Sequence, residues 1–283
     1  MVAGTRELLS PRGSDAVPER DGSNVAGILP DEVHKKRPEN VWLHSPVRES
    51  PHSMRSHFAI PSRGQTLRFA ELLEVQRQLG ILQAHRQLGV PDNAVFVLNR
   101  IALKFVTRAD VQSDGGTIRA QIVATSARGR PRSLSQYFSI ESPSGLVAVG
   151  SARASLIPQM VYDRVRGLES NASPPGRSAT RSVFGYESAL HVDSRDPLLS
   201  DHPSDHLTAM QAIADVERVA LLDLAAARIR TLKLEFYRYA GLLPAPLLRL
   251  NISAQGKLDA EITQQGARCA EITGVIDMKN GER

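Results

Sequence analysis

One short pattern occurs twice in this chain. Glu74-Val75-Gln76-Arg77 lies in one long apolar stretch, and Asp215-Val216-Glu217-Arg218 lies in another, in the second half. In each, an acid and an arginine stand three residues apart, which puts them on one face of a helix. Strand-rich sequence follows each stretch. A single such pair constrains little. The same pair at matching places in two halves points to a duplicated unit, with the pair at one place in its fold. At 283 residues the chain is long enough for two domains of about 100–150 residues.

Hydrophobic periodicity fills in the units. The first helix is expected over about Leu67 to Leu88, where Leu72, Val75, Leu79 and Leu82 recur at helical spacing and Leu73, Gly80 and Ile81 fill the other faces. A helix so apolar all round is expected to be buried, and Gly89 and Pro91 end it. Before it come a short strand at Asn40 to Leu43 and a loop carrying Pro46, Pro51 and Pro61. After it, strands are expected at 95–98, 101–106, 117–124, 134–140 and 146–156. The second half repeats this order. Short strand pieces near Val183-Phe184 and Ala189-Leu190 precede a polar loop, Asp201 to His206, then a helix of about Leu207 to Ala227. Strands follow at 232–239, 247–254, 258–263 and 267–278. A long helix followed by an antiparallel meander is an α+β arrangement, with a sheet curled around the helix. Residues 1–30 read as a polar, disordered tail. Residues 168–182, rich in Ser, Pro and Gly, read as a linker between units at 31–167 and 183–283.

Composition removes several function classes. Lys and Arg exceed Asp and Glu by 35 to 30, a charge of +5 with no long basic run. That balance suits an anionic small substrate or an acidic protein partner, and no nucleic-acid motif accompanies it. No stretch approaches the roughly 18 apolar residues of a membrane helix. The single cysteine, Cys269, allows no internal disulfide, so a cytoplasmic home is expected. Lying in an expected strand, Cys269 reads as a small buried residue rather than a nucleophile. The chain has neither a Gly-rich phosphate loop nor a Gly-x-Ser-x-Gly elbow, which argues against nucleotide enzymes and α/β serine hydrolases.

Glu74 is the leading candidate for chemistry. On a helix wrapped by a sheet, desolvation is expected to raise its pKa toward that of a general base, while Arg77 pulls it back down. The plainer alternative is a solvent-side ion pair. Glu71 shares the face, but in the repeat it aligns with Ala212, whereas Glu74 aligns with Asp215. His57 precedes the first helix and His202 and His206 the second. Backbone N–H groups at a helix N-terminus bind anions and oxyanions, and a histidine there has a donor to add; the alternative is a loop histidine bonded locally. Asp201, His202, Asp205 and His206 have no counterpart in the first half and no third ligand group, so no metal is expected. Arg238, after Phe236-Tyr237, carries the fork that suits phosphate, or is an arginine at a strand end.

These residues also carry a likeness. Val33-His34-Lys35-Lys36-Arg37-Pro38-Glu39-Asn40-Val41, Ser56-His57-Phe58, and Leu73 through His85 with its Glu-x-x-Arg-Gln pattern resemble the A-factor biosynthesis (AfsA-like) hotdog family, the γ-butyrolactone signalling-molecule synthases. The stretch 158–166, the Asp201–His206 lead-in with Met210, and Phe236-Tyr237-Arg238-Tyr239-Ala240 look like further parts of its pattern, so that the resemblance spans roughly 31–280. It implies two tandem hotdog domains, each an antiparallel sheet wrapped around a long central helix. It implies transfer of a β-ketoacyl group from an acyl carrier protein to dihydroxyacetone phosphate, a phosphorylated three-carbon acceptor, followed by closure to a butenolide phosphate. Glu74, Arg77 and Arg218 match charged family positions by type. Asp215 stands where the family has Glu, and Gly241 where it has an acid, so the second site departs from the pattern.

On this reading the thioester carbonyl sits at the N-terminus of the first helix near His57, and Glu74, with Asp215 as its counterpart, takes the acceptor's proton. Arg77, Arg218 or Arg238 holds the phosphate. No cofactor is called for, and the protein is a monomer or a homodimer. The alternatives are a hotdog thioesterase or dehydratase, and a non-catalytic hotdog that binds an acyl chain or a partner.

Overall fold

The computed structural model describes residues 27–61, 67–106, 115–127, 129–169, 185–190, 206–223 and 226–278. Most of the expected tail, the core of the linker, the strand piece at Val183-Phe184 and the loop residues Asp201, His202 and Asp205 lie outside them.

Among the described residues eleven strands form one sheet in which every neighbouring pair is antiparallel. The first half supplies β1 (Leu43–Ser50), β2 (Ser53–Ala59), β3 (Ala94–Phe105), β4 (Gly115–Ala127), β5 (Arg130–Ser142) and β6 (Gly145–Pro158). The second supplies β7 (Tyr186–Ala189), β8 (Ala226–Phe236), β9 (Leu247–Ile252), β10 (Lys257–Gln264) and β11 (Ala267–Met278). Their order is β1-β2-β4-β5-β6-β3-β8-β11-β10-β9-β7, so the halves meet at a β3–β8 seam running from Arg100 opposite Glu235 to Lys104 opposite Thr231.

Helix α1 (Phe69–Leu88) packs on β4, β5, β1 and β2, and also on α3 (Ala209–Arg218) of the second half. Helix α2 (Gln159–Glu169) follows β6 and lies against β6 and β3. As expected from its all-round apolarity, α1 is buried along most of its length; Leu72, Val75, Leu79 and Leu82 have no exposure. Its polar residues in the core are satisfied. Gln78 accepts from the Trp42 N–H at 2.9 Å and donates to the Asn40 carbonyl at 2.8 Å, and Gln76 donates to Gln136 at 2.6 Å. Gly89 ends α1 in the left-handed region at φ 61°, where glycine has no steric penalty. One apolar cluster runs through both halves, joining Leu72, Leu79, Ile101 and Phe105 to Ile213, Val216, Leu232 and Leu234.

Four expectations are corrected. The segment carrying Pro46 and Pro51 is the β1–β2 hairpin rather than a loop. β1 is an edge strand, its register shifts between His44 and Val47, and a bulged edge tolerates a proline that has no N–H to give. The short strand expected at Asn40 to Leu43 is instead a 3-10 turn, Pro38–Asn40, leading into β1. The two strands expected on either side of Asn99 are one, β3, with a register shift between Leu98 and Arg100. The second helix is shorter than 207–227: α3 ends at Arg218 and passes into a π-helical turn, Val219–Asp223, because β8 already begins at Ala226.

Candidate functional site

The acid–arginine pairs form within their own helices. Arg77 holds both oxygens of Glu74, Nε to Oε2 at 2.8 Å and Nη2 to Oε1 at 2.9 Å. Lys35 adds an ion pair to Oε1 at 3.0 Å, with both side chains buried, and Gln78 a hydrogen bond at 2.8 Å. Burial alone would push the Glu74 pKa up. The Arg77 and Lys35 charges outweigh it and hold the carboxyl at about 2. The expected rise is therefore reversed, and Glu74 is a permanently ionised anchor. In α3, Asp215 and Arg218 approach at 3.7 Å with Arg218 largely exposed.

Lys35 belongs to a strap, residues 27–42, laid along α1. Glu32 pairs with Arg86 through both oxygens at 2.8 Å, and the Val33 carbonyl accepts from Arg77 at 3.3 Å. His34 Nε2 lies 3.3 Å from His85 Nε2, and both rings stand edge-on to Phe96. The His-Lys-Lys-Arg and Glu-x-x-Arg-Gln segments of the sequence are thus the two sides of one clamp. Burial lowers the His34 pKa to about 4, with help from the His85 and Arg77 charges. A histidine kept neutral by the fold stabilises it fully above the ordinary value of 6.5 and loses that contribution as the pH falls toward 4. The melting temperature is expected to fall over this window, and His34→Asn to flatten that part of a scanning-calorimetry profile. An unchanged profile would remove His34 from the clamp.

His57 is not beside a helix N-terminus. The side-chain alternation of β2 buries Ser56 and Phe58 and turns His57 to the outer face, where it stacks on His44 at 5.7 Å and contacts Thr117 at 3.1 Å. Arg238 is exposed and lies past the end of β8 at Phe236, so it is not in a strand. His206 forms an isolated bridge with Gly241 and packs edge-on to Tyr239. Gly241 exchanges two hydrogen bonds with the Gln264 side chain, each of 2.8 Å. Cys269 is buried in β11, as a small core residue. Among the described residues no group of three or more His, Cys, Asp or Glu forms a metal cluster, and no helix is long and apolar enough to cross a membrane.

The residue that sequence reasoning missed is Glu217. It sits on the buried stripe of α3, one turn after Ile213, and reaches across to the first turn of α1. Its Oε1 accepts from the Phe69 N–H at 2.6 Å and its Oε2 from the Ala70 N–H at 3.2 Å. Glu71 meanwhile accepts from the Arg68 N–H at 2.9 Å, in the manner of a capping box. Helix starts leave such N–H groups without partners inside the helix; here a carboxylate from the other half takes two. Burial raises the Glu217 pKa, and although those two N–H groups pull it back, it stands at about 7. Glu217 is thus poised to gain or lose a proton at neutral pH. The ring of Phe69 packs edge-on against Phe105 at 4.8 Å, and the Arg228 guanidinium lies over the Phe105 ring at 4.8 Å. A helix N-terminus, a proton-exchanging carboxyl, an aromatic wall and a cation therefore converge between the halves. The signal for Glu217 was its place in the repeat, where a carboxylate stands in the buried stripe opposite Gln76.

Residues 18–158 match the family model described as the A-factor biosynthesis hotdog domain. This first half belongs to the A-factor biosynthesis hotdog family. The family's stretch covers the strap, α1 and the sheet from β1 to β6, and so includes the α1 N-terminus that Glu217 meets. The fold itself extends further. The 12:0-ACP thioesterase from Umbellularia californica superposes with a TM-score of 0.59 at 12% identity, covering 82% of this chain and 100% of that one. An acyl-ACP thioesterase from Bacteroides thetaiotaomicron superposes with a TM-score of 0.53 at 12% identity, covering 80% and 98%. At such identity these likenesses establish the hotdog fold. No curated protein sequence matches the chain.

Proposed function

We propose that the chain is a double-hotdog acyltransferase of A-factor type. Residues 31–167 and 183–283 form its two tandem hotdog units, each a sheet wrapped on its own helix. It takes a β-ketoacyl group from an acyl carrier protein and passes it to a phosphorylated three-carbon acceptor such as dihydroxyacetone phosphate. The observation that carries this reading is Glu217, buried with a pKa of about 7 against the first two N–H groups of α1. The family supports the product class, γ-butyrolactone-type signals.

The chemistry runs between the helices. The ionised Glu217 takes the proton of the acceptor hydroxyl, and the freed oxygen attacks the thioester carbonyl. Protonation removes the charge that bound Glu217 to the Phe69 and Ala70 N–H groups. Those donors are released as the carbonyl oxygen becomes an oxyanion, which is when they stabilise it most. The C–S bond then breaks, and Glu217 returns its proton to the departing thiolate. In the ester that forms, the carbon between the two carbonyls adds to the ketone of the three-carbon unit, and loss of water gives the butenolide phosphate. Arg228 brings positive charge to the same place for the acceptor phosphate, while Arg77 stays on Glu74 and the strap and Arg218 on Asp215. Asp215 positions Arg218. Glu74 supports the site by holding the strap and Arg77, and no step is routed through His57 or Arg238.

The test is acyl release from a β-ketoacyl carrier protein, followed by mass spectrometry with and without dihydroxyacetone phosphate. The acceptor is expected to raise release severalfold and to appear acylated. Free acid at the same rate in both reactions would move the chain to the thioesterases, where Glu217 would activate water instead. No turnover with any acceptor would leave a non-catalytic acyl-binding protein.

A further inference from the structure

A groove of about 660 Å³ crosses the outer face of the sheet over the β3–β8 seam. Small residues make its floor: Ala102 on β3, Ser151 on β6, Thr231 on β8 and Thr273 on β11. Lysines rim it. Lys104, Thr231, Val275 and Lys257 form one cross-strand row with a lysine at each end. Lys233 stands in the next row, and Tyr137, 61% exposed, overhangs the far side. Lys233 and Lys257 are paired with Glu235 and Asp259 at 2.9 and 2.8 Å. Lys104 and Arg153 are both exposed and make no ion pair among the described residues. Arg153 moreover faces Arg100 directly across the β3–β6 pair. Like charges opposite one another destabilise a sheet, here offset in part by the Arg100–Glu235 pair at 3.7 Å, and among the described residues no carboxylate lines the groove itself. That is a cost to the isolated chain that an acidic partner removes.

The groove lies close to the proposed chemistry. Lys104 faces it, and the next residue, Phe105, turns to the inner side and packs on Phe69 at the start of α1. We propose that this groove docks the acidic helical face of the acyl carrier protein, with its thioester end toward Lys104. The proposal rests on the acyl-transfer reading for its choice of partner, and its charge complementarity is independent of Glu217.

The experiment compares wild type with Lys104→Glu and with Lys104→Glu/Lys257→Glu, exposed changes that leave the melting temperature in place. Kinetics are measured with a β-ketoacyl carrier protein and with the corresponding N-acetylcysteamine thioester, and binding of unacylated holo-carrier protein by calorimetry at low and high salt. KM for the carrier substrate is expected to rise by about tenfold or more with kcat retained, while the small thioester is used as before. An unchanged carrier KM overturns the docking and leaves the acyl-transfer reading standing. If wild type turns over neither thioester but loses holo-carrier binding on Lys104→Glu, the docking stands and the acyl-transfer reading falls. Holo-carrier binding equal in all three proteins overturns the docking, as does sedimentation showing a homodimer that only the variants dissociate while carrier binding persists.

Discussion

Glu217→Gln is expected to lower kcat for acyl transfer by about 10²–10⁴-fold, the usual worth of a positioned proton acceptor. The amide keeps an oxygen for the Phe69 N–H, now 2.6 Å from Glu217 Oε1, so the helix cap survives in part and the fold with it. The pH dependence separates this from a packing effect. In wild type, transfer rises with pH as Glu217 ionises near 7. Stability moves the other way. A carboxyl whose pKa is raised from 4.5 to about 7 is favoured in the fold while protonated, so its contribution is present below 4.5 and is lost as the pH passes 7. Glu217→Gln should therefore lose the rising limb of the rate profile and also the fall in melting temperature between pH 4.5 and about 7. A variant that kept both would show that Glu217 merely caps α1.

The second large effect is on stability. Glu74→Gln leaves Lys35, with 4% of its side chain exposed, charged and without its counter-ion. Breaking one side of a buried pair costs about 3–5 kcal/mol. The loss should appear as a lower denaturation midpoint and as faster amide exchange through the strap, residues 27–42. Exchange of the pair for Lys35→Met/Glu74→Gln should recover much of it, since the unpaired buried charge is gone, and the double-mutant cycle measures the coupling. If Glu74→Gln were as stable as wild type and yet inactive, Glu74 rather than Glu217 would be the proton acceptor.

These two carboxylates show what was legible in the sequence. The duplicated acid–arginine pattern located both helices and the α+β order of elements, because apolar periodicity reports which face of an element is buried. It did not report partners. Glu74 was expected to be a desolvated base, but whether a buried carboxyl rises or falls depends on neighbours from elsewhere in the chain, here Lys35 in the strap. In the sequence Glu217 is only the third residue of the second copy, since its partners Phe69 and Ala70 lie 148 and 147 positions away. His57 was adjacent to the first helix in sequence but, by strand alternation, on the wrong face of the sheet. The β1–β2 hairpin was hidden by Pro46 and Pro51, which argue for a loop unless the strand is known to be an edge.

The most direct test is a single-turnover reaction of β-ketoacyl carrier protein with dihydroxyacetone phosphate, run with wild type and Glu217→Gln and read by mass spectrometry. The account predicts an acylated three-carbon phosphate, or the butenolide phosphate formed from it, from wild type, and unreacted acyl carrier from the variant over the same time. The same product at the wild-type rate from Glu217→Gln would contradict it.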